Sequence, residues 1–247
     1  MRVKGRMCYY KIKNTKMKQI TFQSIFDTPT VPMSNLNEQA QTPDGRIFEY
    51  LYATEAISKY MVVSRPANTT VTTVSSSSNG ASQVVYVTEA SAGWTNGAYQ
   101  DHWLLVNTGT GTGQVAKIKD NTTDTLELYV DYALATSLAV ADSGIAIVHE
   151  TDAEKIAVTT DITNIKGVAQ VGFASGDYGW FLKRGIGGVL VGEVAIINTN
   201  IKPGDDTEGT ALKGTTGAGL FDESSIGRVL VANSAADVAA LVDVNIA

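Results

Sequence analysis

Two histidines, His102 and His149, are the side chains of this sequence whose unperturbed charge change falls between pH 5 and 8. Each has an acidic neighbour in the chain, Asp101 before the first and Glu150 after the second. A catalytic base works only on a group within hydrogen-bond range. The sequence sets no nucleophile beside either ring, and it has no Gly-x-Ser-x-Gly elbow. Catalytic residues are therefore not expected. Two rings are too few for a His-rich metal site, and a single cysteine, Cys8, rules out an internal disulfide. No metal and no cofactor are expected.

The other chemically suggestive patterns have simpler explanations. Gly109-Thr110-Gly111-Thr112-Gly113 has the glycine density of a phosphate cradle but lacks the Gly-Lys-Ser/Thr of a P-loop. A strand-like run follows it, so no helix N-terminus is on offer to an anion, and a hairpin loop is the better reading. Gly185-Ile186-Gly187-Gly188 does not complete Gly-x-Gly-x-x-Gly, because Leu190 occupies the third glycine position; it reads as a tight turn. The acidic pairs Asp205-Asp206 and Asp222-Glu223 sit in polar, turn-like surroundings. A glycosidase pair or a hard-cation site could use such acids, but solvated loops account for them more simply. Asn68-Thr69-Thr70 and Asn121-Thr122-Thr123 match the glycosylation pattern, with no secretory signal to give it meaning.

What must position these residues is a β framework. Charged residues make up 18% of the 247, below the ~25% of an average domain. Val, Thr, Ser and Ala dominate. β-branched residues favour a pleated surface, while Gly, Asn, Asp and Ser supply turns. Runs such as 46–52, 60–65, 69–74, 83–88, 102–106, 114–119, 125–130 and 144–149 alternate with turn signals every 8–12 residues, as in a barrel or sandwich. Thr42-Pro43-Asp44-Gly45 is a turn in which proline presets φ and glycine permits positive φ. The segment 75–82 reads as a polar loop, and Asp152–Ile156 as a short helical turn. Further strands are expected over 167–173, 178–183, 188–197, 210–212, 228–231 and 240–246. The predicted fold class is all-β: two β-rich regions, barrel or sandwich, behind an extended N-terminal arm. The expected divisions are 1–42 for the arm, 43–150 for the first β-rich domain and 151–247 for the second.

Charge is unevenly spread. Arg2, Lys4, Arg6, Lys11, Lys13, Lys16 and Lys18 precede the first acid, Asp27, leaving 12 basic against 25 acidic residues in the rest. A basic arm on an acidic body can grip an acidic neighbour. A solvated terminus is the simpler reading, and nucleic acid is not expected as a partner. Met17-Lys18-Gln19-Ile20 would also serve as an alternative start. No apolar run has the length of a signal peptide or a membrane span, so no membrane association is expected. Pro29 and Pro32 should hold 23–42 extended, with Phe22, Ile25 and Phe26 as anchors for a partner. Trp180 and Arg184 complete the candidate partner-binding set.

Four stretches together resemble the capsid decoration (head cement) proteins of tailed bacteriophages. Thr42-Pro43-Asp44-Gly45-Arg46-Ile47-Phe48-Glu49-Tyr50 resembles a stretch near the start of such virion proteins. Gly109 to Asn121 is similar to their central hairpin, and Gly176-Asp177-Tyr178-Gly179-Trp180-Phe181-Leu182-Lys183-Arg184-Gly185 to their Gly-Tyr-Gly-Trp strand. Ile226-Gly227-Arg228-Val229-Leu230, before a Val-rich end, is similar to their C-terminal ending. The resemblance spans most of 42–247 and leaves out the basic start. It implies a virion structural protein on the exterior of the capsid, bound to the major capsid protein as a homo-oligomer, with a trimer favoured, and no catalytic residues. The alternatives are a phage tail or fibre component and, from another class, a carbohydrate-binding module or glycan hydrolase.

Overall fold

The computed structural model describes residues 17–71, 73–80, 83–156, 164–203, 208–213 and 225–246. The basic residues before Met17, Asp205-Asp206 and Asp222-Glu223 lie outside the described residues. The chain opens with β1 (Lys18–Gln19), a single helical turn α1 (Phe22–Ile25), β2 (Gln39–Gln41), β3 (Ile47–Ala53) and β4 (Val62–Ser64). A second group follows: β5 (Thr69–Val71), β6 (Ser76–Gly80), β7 (Gln83–Thr88), β8 (Trp103–Thr108), β9 (Val115–Asn121), β10 (Thr125–Leu128) and β11 (Gly144–Val148). The rest is β12 (Asp152–Lys155), β13 (Ile165–Ala169), β14 (Tyr178–Val191), β15 (Asn200–Pro203), β16 (Ala211–Lys213), β17 (Gly227–Val231) and β18 (Val238–Asn245). The protein is all-β, as its composition predicts.

The strands form two sheets. One has eleven strands in the order β1-β2-β3-β12-β4-β13-β14-β16-β15-β17-β18, and the long β14 also pairs with β3 and with β18. The other has seven, in the order β5-β11-β8-β9-β10-β7-β6. The smaller sheet is thus an insertion between β4 and β12. This differs from the linear division expected at residue 150: β3 and β4 belong with the C-terminal strands. The reason is the parallel pairing of β12 on β3, Asp152↔Tyr52 and Ala153↔Ala53, a contact across about a hundred residues that leaves no local trace.

Alternating side chains build the cores, because successive residues of a strand face opposite sides. In β18, Ala240, Val242 and Val244 point inward and Leu241, Asp243 and Asn245 outward. Phe48, Tyr50, Trp180, Leu182, Val189 and Val242 belong to the main core of the large sheet. Leu51, Ile57, Val63, Phe173 and Phe181 form a smaller cluster on that sheet. Leu104, Val106, Ile118, Leu126, Ile145 and Ile147 fill the smaller one.

Several local expectations change. Asp152–Lys155 is strand β12 rather than a helical turn, because β3 and β4 supply ladder partners on both sides. Ser76–Gly80, expected as loop, pairs with β7 as β6. The tight turn expected at 185–188 is instead the middle of β14. Gly185 takes φ +106° there and bends the strand without ending it. The described part of the arm, 17–42, lies on the chain's own large sheet. Thr21 caps α1 by accepting from the Ser24 N–H at 3.3 Å. Tyr178 N donates to Pro29 O at 2.8 Å, and Met33 N to the Tyr50 hydroxyl at 3.0 Å.

Candidate functional site

The two histidines that are far apart in sequence meet where the sheets join. His102 immediately precedes β8 and His149 immediately follows β11. The antiparallel register Trp103↔Val148 brings these ends together. Asp152 opens β12 of the other sheet. All three are buried, at 3%, 8% and 3% exposure for His102, His149 and Asp152. Asp152 Oδ2 accepts from His102 Nε2 at 2.9 Å and from His149 Nδ1 at 2.8 Å. The outward nitrogens are also held: His102 Nδ1 lies 3.0 Å from Gln100 O, and His149 Nε2 lies 2.9 Å from Thr69 Oγ1. Thr151 Oγ1 donates to Asp152 Oδ1 at 3.2 Å. The Tyr99 ring meets both imidazoles edge to face, with centroids 5.9 and 5.7 Å away.

The electrostatics follow from those partners. His102 Nδ1 faces a carbonyl and Nε2 a carboxylate, both acceptors, with the Thr151 hydroxyl 3.4 Å from Nε2, so these partners favour a proton on each nitrogen. Burial disfavours that charge, but the hydrogen bond and attraction of Asp152 outweigh it, and the His102 pKa lies above its ordinary value. Burial likewise pushes the Asp152 carboxyl up, and the hydrogen bonds from His102 and His149 reverse this, holding it at about 2. Thr69, His149 and Asp152 stand in the order of a hydroxyl–imidazole–carboxylate relay. His149 shares Oδ2 with His102 rather than holding it alone, which weakens that relay.

The sequence neighbours of the histidines are not their partners. Asp101 is bound by Lys117 at 3.0 Å. Glu150 lies between Lys166 at 2.7 Å and Arg65 at 2.6 Å. Burial opposes ionisation of Glu150, but these cations hold its pKa below the ordinary value. The carboxylate that matters, Asp152, hides in the segment that reads as a helical turn. The spacing His149-x-x-Asp152 was its available signal.

The other sequence candidates divide between surface and interior. Phe22 and Phe26 are exposed, at 45% and 56%, and Phe22 lies under the Arg46 guanidinium. Arg184 is exposed and donates to Asn245 Oδ1 at 3.1 Å. Ile25 and Trp180 are core residues, at 1% and 4%, and the chain itself covers them. Trp180 packs on Tyr50 with centroids 4.9 Å apart. The strand alternation that places Trp180 inward was not recoverable from the glycines around it. The loop 109–113 joins β8 to β9 as a hairpin. Its would-be anion position is taken by the chain's own Asp142, which accepts from Thr110 N at 3.0 Å. Asn121 is buried at 4% exposure and is bonded through both side-chain polar atoms, so it is no glycan acceptor in the folded chain.

No helix among the described residues is long and apolar enough to cross a membrane. Comparison with protein-family models, with curated proteins and with solved structures returns no match.

Proposed function

We propose that this chain is a virion structural protein, a capsid decoration protein that binds the outer surface of a phage head and stabilises the shell. The observation that carries the reading is an apolar surface at one end of the large sheet. Val194, Ile196, Ile197, Val231, Val238 and Leu241 are 40–54% exposed there. Register and hydrogen bonds place them at the same end of the sheet, with Val238 on the face of Ala240 and Leu241 on the opposite face. Val231 pairs with Leu241, and Val191 at the end of β14 with Val238. Asn233 Oδ1 accepts from Ala195 N at 2.6 Å and its Nδ2 donates to Glu193 O at 2.8 Å, fastening the 193–197 loop beside the end of β17. Val231 and Leu241 are paired on the outward face there, and exposed apolar side chains grouped with those of the 194–197 loop are the kind of surface that marks an interaction site. Three of the four stretches that resemble decoration proteins run through this same large sheet.

The mechanism is thermodynamic. A protein that binds the assembled lattice better than free subunits shifts the equilibrium toward the shell by mass action. The major capsid protein is the partner, and a trimer is the favoured state of the bound protein. The test is to delete or strip the protein from particles, heat them, and add it back. Particles lacking it should open at lower temperature and regain stability on re-addition, with the label on the head. Unchanged shell stability together with no detectable particle binding removes the reading. Label on the tail replaces it with a tail or fibre component.

A further inference from the structure

We propose that His102 Nε2, His149 Nδ1 and Asp152 Oδ2 bind one divalent transition-metal ion, with zinc the best chemical match, and that this ion pins the two sheets together. The inference is independent of the role on the capsid. Its first support is convergence. Among the described residues these three groups offer ligand atoms within 4.8 Å of one another, all from buried side chains. Two imidazoles and a carboxylate suit a borderline ion such as Zn²⁺ far better than Ca²⁺ or Mg²⁺, which want oxygen.

The second support is the outer shell. A metal-binding imidazole characteristically gives its other N–H to a carbonyl, carboxylate or hydroxyl, which fixes the ring. Both outer nitrogens already have such a partner in place, Gln100 O for His102 Nδ1 and, for His149 Nε2, the Thr69 hydroxyl, which can accept or donate. The remaining oxygen of Asp152 is held by Thr151 Oγ1. That leaves His102 Nε2, His149 Nδ1 and Asp152 Oδ2 facing one another, both nitrogens directed at Oδ2.

Loading displaces the protons that His102 Nε2 and His149 Nδ1 direct at Asp152 Oδ2 and releases them to solvent, while the outer nitrogens keep their present partners. The present contacts of 2.8 and 2.9 Å are hydrogen-bond distances. Ligands of a tetrahedral zinc stand about 3.3 Å apart, so loading lengthens these two contacts by a few tenths of an ångström. A cleft of about 150 Å³, bordered by His102, Asp152, Gly97 and Ala98, leaves room for a water in the fourth position. With ligands from both sheets, the site is a cross-link rather than a reaction centre.

The experiment uses the full chain, purified without a histidine tag and stripped with a chelator. Titrated with zinc, it should take up one equivalent with micromolar or tighter affinity and melt several degrees higher. Cobalt in its place should give the visible absorption of a four-coordinate site. His149→Ala should abolish the uptake. Thr69→Val touches only the outer shell, so it should fold normally and weaken zinc binding 10- to 100-fold, which keeps the test decisive if His149→Ala does not fold. Folded wild-type protein that binds no zinc at micromolar concentration overturns the proposal. So does uptake that is unchanged in both variants.

Discussion

The side chain of Gln170 reads both backbone groups of Gly188: its Nε2 donates to the Gly188 carbonyl at 3.1 Å and its Oε1 accepts from the Gly188 N–H at 3.2 Å. β13 ends at Ala169, so the carboxamide extends that strand's ladder by one side chain and braces β14 beyond its bend. Gln170→Leu keeps the bulk and leaves two peptide groups unpaired in a site where Gln170 is only 7% exposed. Each unpaired buried group costs about 1–3 kcal/mol. The variant should lose about 2–4 kcal/mol in urea unfolding. An unchanged midpoint would show that water or a shifted strand replaces both bonds.

Asn121 has a comparable task in the smaller sheet. Its Oδ1 accepts from Tyr99 N at 2.8 Å, and its Nδ2 donates to Thr95 O at 2.8 Å and Thr122 O at 2.9 Å. It thereby ties the 95–99 segment to the end of β9 and holds Tyr99 against the two histidines. Asn121→Ala should cost about 2–3 kcal/mol. Hydrogen exchange should quicken first at residues 95–102, while β17 and β18 keep their protection. Uniform loss of protection across both sheets would contradict this local role.

The Asp44 turn gives a prediction in pH. The Thr42 hydroxyl donates to Asp44 and, with smaller help from Arg46, holds its carboxyl below the ordinary range. A carboxyl depressed in the folded state adds stability above its unfolded pKa, about 3.9, and loses that contribution as pH falls through the lowered value. Asp44 is 44% exposed, so the effect on global stability is small. Thr42→Val should move the Asp44 titration upward toward the ordinary range, read by NMR of the side-chain carboxyl. A titration that stays put would assign the depression to Arg46 alone.

How far the fold was legible follows from where its information lies. β7 falls on 83–88 as read, and β3, β9, β10 and β18 fall within a few residues of their expected places. Their alternation and flanking turns are local signals. The sequence pattern divides β14 in two because Gly185, Gly187 and Gly188 look like a turn. A Cβ on Gly187 would stand 2.3 Å from Leu182 Cδ2, and one on Gly188 would stand 2.5 Å from the Tyr60 ring. These glycines serve close approach inside a bent strand, which depends on neighbours distant in sequence. The candidate site shows the same limit. His102 and His149 stand out, but their carboxylate does not, because its segment reads as a helical turn and Asp152 meets His102 only through the pairing of β8 with β11 and of β12 with β3.

Trp180 and Phe26 should separate fold from docking. Both were expected as partner anchors, yet Trp180 is packed in the main core and Phe26 is 56% exposed. Deleting a buried aromatic costs about 3–5 kcal/mol, through lost burial and the cavity left behind. In a chain of this size each kcal/mol shifts Tm by roughly 2–4 °C, so Trp180→Ala should melt at least about 6 °C lower. Phe26→Ala removes no such packing and should stay within about 0.5 kcal/mol of wild type. If the arm contributes to the proposed capsid contact, Phe26→Ala should instead reduce co-sedimentation with stripped particles, as should Val231→Glu at the apolar end of the large sheet. Full particle binding by both folded variants would place the contact elsewhere on the protein. A stable Trp180→Ala that binds no particles would return Trp180 to the role of anchor.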